Sequence, residues 1–179
     1  MKRLILLLSI LAFTLGMNAQ NETFTYPNNV GDELRGQYIV IEEKGTVQEN
    51  YSKVINYINK TYNTPAEVIK SEIKDEYLRI EGVSDLFKNG GVTISTKHSL
   101  EFKFKQDRIK LTILNLQEAT QGLNISGYCT YEKTHRSNGK IRKTYMDYAV
   151  RVVDGLNELS KDIKTGITQE SSETPDDDW

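Results

Sequence analysis

The residues of this chain whose types and spacing could do chemistry are mostly cations. In His98–Leu114, HSLEFKFKQDRIKLTIL, one alternation places Leu100, Phe102 and Phe104 on one side of a strand and Lys103 and Lys105 on the other. With Gln106-Asp107 at the tip, the pairing sets Lys105 opposite Arg108 and Lys103 opposite Lys110. Like charges directly opposite each other cost on the order of 0.2–1 kcal/mol per pair. A face with no ligand would more cheaply alternate its signs. A second basic cluster follows at Lys133, His135, Arg136, Lys140, Arg142 and Lys143. Either group suits an acidic glycan, a lipid phosphate or an acidic protein surface. The competing reading is a plain solvated face, since outward lysines also keep strand edges from pairing with other chains.

Catalytic chemistry finds less support. Nucleophilic catalysis needs a nucleophile, a base within hydrogen-bond reach and a third group to orient that base. Cys129, the single cysteine, lies six residues before His135, but no recognised nucleophile motif surrounds it. A lone thiol forms no internal disulfide, and its commonest role is that of a small buried hydrophobe. His98 falls on the inward side of its strand, where a hydrogen-bonded core histidine is expected. The sequence has no Cys-x-x-Cys, no His-Glu-x-x-His, no calcium loop and no phosphate-binding Gly-Lys-Ser/Thr. No catalytic residue, metal or cofactor is therefore expected.

Compartment and elements come next. Residues 1–19 have Lys2 and Arg3, an apolar run Leu4–Leu15 and a small-residue exit at Ala19, the layout of a secretory signal peptide. The apolar run is too short to span a bilayer comfortably, so a mature chain without a transmembrane segment is expected, periplasmic or secreted. Losing Lys2 and Arg3 takes the formal net charge from −2 to −4, which argues against a nucleic-acid partner. Residues 20–36 read as an irregular lead-in and Gln37–Glu42 as a strand. Thr46 and Glu49 form a capping box ahead of Val47, Tyr51, Val54, Ile55, Ile58 and Tyr62, predicting a helix over 47–62. A hairpin around Asp75-Glu76 would set Ile73 opposite Leu78 and Ser71 opposite Ile80. The long alternation from Val92 pairs Phe104 with Ile109, Phe102 with Leu111 and Leu100 with Ile113. Residues 117–143 carry little pattern beyond an Asn138-Gly139 turn and a short strand near Tyr128–Tyr131. A helix over about 144–164 closes the domain, and the acidic residues 166–179 are expected to be disordered. The sum is a two-layer α+β domain over 37–165, order β-α-β-β-β-β-α, with both helices on one face of an antiparallel sheet.

The helix GTVQENYSKVINYINKTYNTPAEVI, the strand segments DEYLRIEGV and FKFKQDRIKLTILNLQ, and the closing helix YAVRVVDGLNELSKDI together carry a resemblance. Over roughly 37–165 the chain resembles the exported domain of unknown function numbered 4468, found mostly in Bacteroidetes envelope proteins. It departs from that family at Ile80, where a second glycine often precedes the strand glycine, here Gly82. The resemblance implies a TBP-like fold and an envelope location. It implies no activity, and a shared fold does not carry DNA binding with it.

The function expected is that of a non-enzymatic envelope domain binding a protein or anionic polymer. Its candidate contacts are Lys103, Lys105, Arg108, Lys110, Arg136, Lys140, Arg142 and Lys143. The alternative is a carrier of a small apolar ligand, with a cavity between sheet and helices lined by Tyr51, Ile55, Phe102 and Tyr148.

Overall fold

A computed structural model describes residues 22–169. The chain runs β1 (Tyr38–Glu42), α1 (Val47–Thr61), α2 (Pro65–Val68), β2 (Ile69–Ile73), β3 (Tyr77–Asn89), β4 (Val92–Lys105) and β5 (Arg108–Glu118). A 3₁₀ turn (Ser126–Tyr128), the short α3 (Tyr131–Thr134) and the long α4 (Lys143–Gln169) follow. The strands form one antiparallel sheet in the order β1-β5-β4-β3-β2. α4 lies across β3, α1 lies over β4, and the two helices touch each other. This is the expected α+β arrangement, with the short α2 and α3 added to it.

The β4–β5 hairpin has the predicted register. Phe104 pairs with Ile109, Phe102 with Leu111, Leu100 with Ile113, Lys105 with Arg108 and Lys103 with Lys110. A one-residue slip would turn Phe102, Leu100, Ile109 and Ile113, all at most 1% exposed, into water. Asp107 supplies the tight turn at φ 60° and ties it to the β1–α1 connection by accepting Gly45 N–H at 3.1 Å. α1 begins where the capping box places it. Thr46 N–H donates to Glu49 Oε2 (2.6 Å), and Glu49 N–H donates to Thr46 Oγ1 (3.2 Å).

Four expectations are corrected. In the β2–β3 hairpin Ile73 faces Tyr77, Glu72 faces Leu78 and Ser71 faces Arg79, with an irregularity that brings Ile69 to Ile80. The turn takes three residues, Lys74–Glu76, with Asp75 at φ 64°. β3 takes its register from β4, where Leu78 meets Phe102 and Ile80 meets Leu100, and the edge strand β2 adapts to it. The strand expected near Tyr128–Tyr131 is instead the 3₁₀ turn followed by α3. α4 runs on to Gln169 because Ile167, fully buried, continues its apolar stripe. The lead-in is irregular but packed: Phe24 and Leu34 join the core, and Phe24 N–H donates to Asn157 Oδ1 (2.8 Å) while Asn157 Nδ2 donates back to Phe24 O (3.1 Å). The segment read as a signal peptide and the rest of the acidic tail lie outside the described residues. No helix among the described residues is long and apolar enough to cross a membrane.

Two close approaches set the helices against the sheet. A β-bulge between Asp85 and Phe87 turns both Leu86 and Phe87 toward the core, each 7% exposed. The Leu86 carbonyl then lies where a Cβ on Gly155 would stand, at 2.0 Å. The glycine that weakens α4 by propensity is thus the one that lets it reach β3. At Gly82, a Cβ would meet Tyr62 and His98 at 2.7–2.8 Å. Those two side chains touch across it, with Tyr62 Oη 3.2 Å from His98 Nε2.

Candidate functional site

The start of α4 is built by a short loop. Gly139, at φ 77°, closes a turn in which its N–H donates to Arg136 O (2.9 Å) and Arg136 N–H donates to Lys140 O (2.8 Å). A bridge between His135 and Ile141 and a bond from Arg142 N–H to Thr134 O (2.7 Å) return the chain to α3. The first helical bond is Met146 N–H to Arg142 O (3.0 Å). This geometry gathers Arg136, Arg142 and Lys143 with Thr144 and Tyr145 around one open concavity of about 580 Å³. The first turn of α4 contains no acid. Arg142 and Lys143 therefore sit at the positive end of the helix dipole, where a cation costs roughly 0.3–1 kcal/mol and an anion is favoured. The first amides of any helix also lack intrahelical partners and point outward.

His135, read with this cluster from the sequence, is not one of its surface cations. It is 8% exposed, its ring stacks on Tyr131 with centroids 4.0 Å apart, and its Nδ1 lies 3.0 Å from Thr134 Oγ1. It fastens the loop. Lys140 is exposed and does not line the concavity; its N–H donates to Asn138 Oδ1 (3.2 Å).

The hairpin cations are arranged differently. Lys103 Nζ is 3.1 Å from Glu101, its neighbour two residues back on the same face. Lys110 Nζ lies 3.9 Å above the Tyr38 ring of β1. Arg79 and Lys97 both pair with Glu81, at 3.0 and 3.2 Å. Arg108 stands opposite Glu42 in the sheet register. The outer face of the sheet is thus charge-mixed, and Lys105 and Arg108 have no ion pair among the described residues. Nor do these lysines guard an edge: β4 is the central strand, β5 is flanked by β1 and β4, and the edges are β1 and β2.

The residues named for an apolar carrier are not gathered around one space. Near the β4–β5 turn Tyr51 stacks edge-on against Phe104 (5.4 Å), and it donates its hydroxyl to Glu72 of β2. Tyr148 stacks edge-on against Phe87 (5.3 Å), whose register partner is Ile94 near the other end of β4. Ten strand residues separate Ile94 from Phe104, about 33 Å. Phe102 between them is fully buried. Tyr148 instead lines an open groove of about 290 Å³ with Ile94, Leu123, Tyr128 and Tyr145. That groove shares Thr144 and Tyr145 with the basic concavity. Sequence reasoning missed it. Tyr145 and Tyr148 read as core stripe, yet Tyr145 is 39% exposed and Tyr128 38%.

Cys129 and His98 sit in the core. Cys129 is fully buried, burial pushes its thiol up to about 12, and among the described residues no hydrogen bond joins it to His135. His98 is also fully buried, with Nδ1 3.4 Å from Ser84 Oγ, and burial holds its pKa down at about 4. The expectation of a core histidine matches this position. No cluster of metal-ligating side chains occurs among the described residues.

No protein-family model and no curated protein matches the sequence. Two solved structures share its fold. One is a DUF4468 family protein from Bacteroides ovatus, with TM-score 0.58 and 8% identity, covering 82% of this chain and 92% of that one. The other is a TBP-like protein from Parabacteroides distasonis, with TM-score 0.50 and 10% identity, covering 73% and 90%. A solved member of the family that the sequence resembles therefore stands among its structural neighbours, and the fold that the resemblance implied is present. This domain has the TBP-like fold.

Proposed function

We propose that this is an exported, non-enzymatic envelope domain that holds an anionic partner, an acidic protein segment or polymer, at the start of α4. One observation carries the reading: Arg136, Arg142 and Lys143 line a single concavity at the positive end of a 27-residue helix whose first turn has no acid. The hairpin face is the weaker candidate, because Glu101, Glu81 and the Tyr38 ring already engage its neighbours. Export rests on the leader pattern of residues 1–19.

The test is calorimetric titration with polyaspartate and with dextran sulfate in low salt. Changing Arg136, Arg142 and Lys143 together to Glu is expected to weaken binding by about tenfold or more, taking each exposed pair at a few tenths of a kcal/mol to one. Changing Lys103, Lys105, Arg108 and Lys110 to Glu is expected to leave it nearly unchanged. The opposite ranking would return the site to the sheet face. No binding by the wild type would remove the reading.

A further inference from the structure

The basic concavity does not end at its cations. It shares Thr144 and Tyr145 with the neighbouring groove lined by Ile94, Leu123, Tyr128 and Tyr148, with Leu123 50% exposed. The groove's one carboxylate, Glu118, is already engaged by the amides of Thr120 (3.1 Å) and Gln121 (2.6 Å). An occupant matched to both halves carries adjoining negative charges next to a flat apolar group. Residues 176–179 of this chain are Asp-Asp-Asp-Trp.

Reach decides which copy supplies them. The 27 residues of α4 hold Gln169 roughly 39 Å from Lys143 at 1.5 Å per residue. Asp178 lies nine residues beyond Gln169, and nine fully extended residues span at most about 32 Å. Even fully extended backbone leaves the aspartates about 7 Å short of Lys143 Cα. Their own chain therefore meets these cations only when drawn taut along α4 with the Lys and Arg side chains stretched toward it, whereas a second copy meets them without that ordering cost. The hairpin tip is nearer to the root of that segment, since Thr168 Oγ1 donates to Glu43 (3.2 Å). Its approach is lined by Glu42 and Glu43, however, and it lacks the aromatic groove.

We infer that the site at the start of α4 receives the 170–179 segment of a second copy, with Asp176–Asp178 against Arg136, Arg142 and Lys143 and Trp179 on Tyr128, Tyr145 and Tyr148. The inference rests on the anion-site reading above and names its partner. Aromatic rings meet edge-on or offset, and the indole supplies the large rigid surface that such a groove takes up. Groove and segment belong to opposite ends of α4, so the contact is head-to-tail. It builds rings or open chains rather than an isologous pair.

Trp179 is the only tryptophan, so its fluorescence reports on this segment alone. The experiment follows emission wavelength and anisotropy of the purified protein over a wide dilution series. Expected is a blue-shifted, high-anisotropy signal at high concentration that reverts on dilution and in high salt. Arg142→Glu with Lys143→Glu should abolish the shift, and adding Asp176→Lys, Asp177→Lys and Asp178→Lys to that variant should restore it. If the helix-start variant misfolds by circular dichroism, the triple aspartate variant alone serves, because it leaves the described domain untouched. Emission unchanged by dilution, or a shift that survives either charge reversal, overturns the inference. If such a protein still binds polyaspartate, the anion site stands and only its partner is wrong. If it does not, both fall.

Discussion

Gly155→Ala separates two arguments of opposite sign. By helix propensity alone, alanine at this interior position should stabilise α4 by about 1 kcal/mol. By packing, the new methyl would stand 2.0 Å from Leu86 O and 2.8 Å from Leu86 C. Both atoms are backbone, held in a bulge whose flanking residues pair with Ser95 and Ile94 of β4. Restoring an ordinary contact of about 3.4 Å means moving α4 or the bulge by more than an ångström, in a core where interiors are close-packed. Overpacking of that kind typically costs about 1–3 kcal/mol, and a backbone obstacle puts the case at the upper end. With the propensity gain returned, a net loss of about 1–2 kcal/mol is expected. Urea unfolding followed by circular dichroism should show a lower midpoint at an unchanged slope. Gly166→Ala meets the Tyr57 ring at 2.5 Å, a side chain that can turn, and should cost less. A stabilised Gly155→Ala protein would refute the reasoning, because α4 could not then lie against the bulge.

His98 should make the fold acid-sensitive. Its imidazole takes up a proton near 6.5 when unfolded but only near 4 when folded, because burial opposes the charge. Between those values the unfolded chain binds more protons, so stability is full above pH 6.5 and falls as pH drops toward 4, by about 3 kcal/mol in all. In urea midpoints measured from pH 7 to 4, His98→Gln should show a shallower decline than wild type, and parallel curves would count against a buried neutral histidine. Cys129, fully buried with its thiol pushed up to about 12, should resist iodoacetamide at pH 8 in the native protein and react on unfolding. Rapid native labelling would mean that the site opens.

Where the sequence spoke clearly, one physical constraint left no alternative. The β4–β5 register was legible because a slip of one residue exposes Phe102 and Phe104 together. The start of α1 was legible because Thr46 and Glu49 satisfy each other's amides locally. Even the Lys103–Glu101 pair was present in the alternation, two residues apart on one face. The short β2–β3 hairpin was misread because Asp75 can take a left-handed turn that adds a residue, and because β2, at the edge, follows β3 instead of leading it.

The sequence alone determined the five strands, the two long helices, the α+β class and the two basic clusters, since period, caps and turn residues act over a few neighbouring positions. Tertiary structure alone decided which cluster we propose as the site. Placing Lys110 over Tyr38 required the β1–β5 pairing, and ruling out edge protection required the strand order. The groove draws Ile94 from β4, Leu123 and Tyr128 from the patternless stretch, and Tyr145 and Tyr148 from α4. No local periodicity brings those segments together. Burial of the shared core does, and among the described residues it leaves cations without ion pairs beside exposed tyrosines at the start of α4.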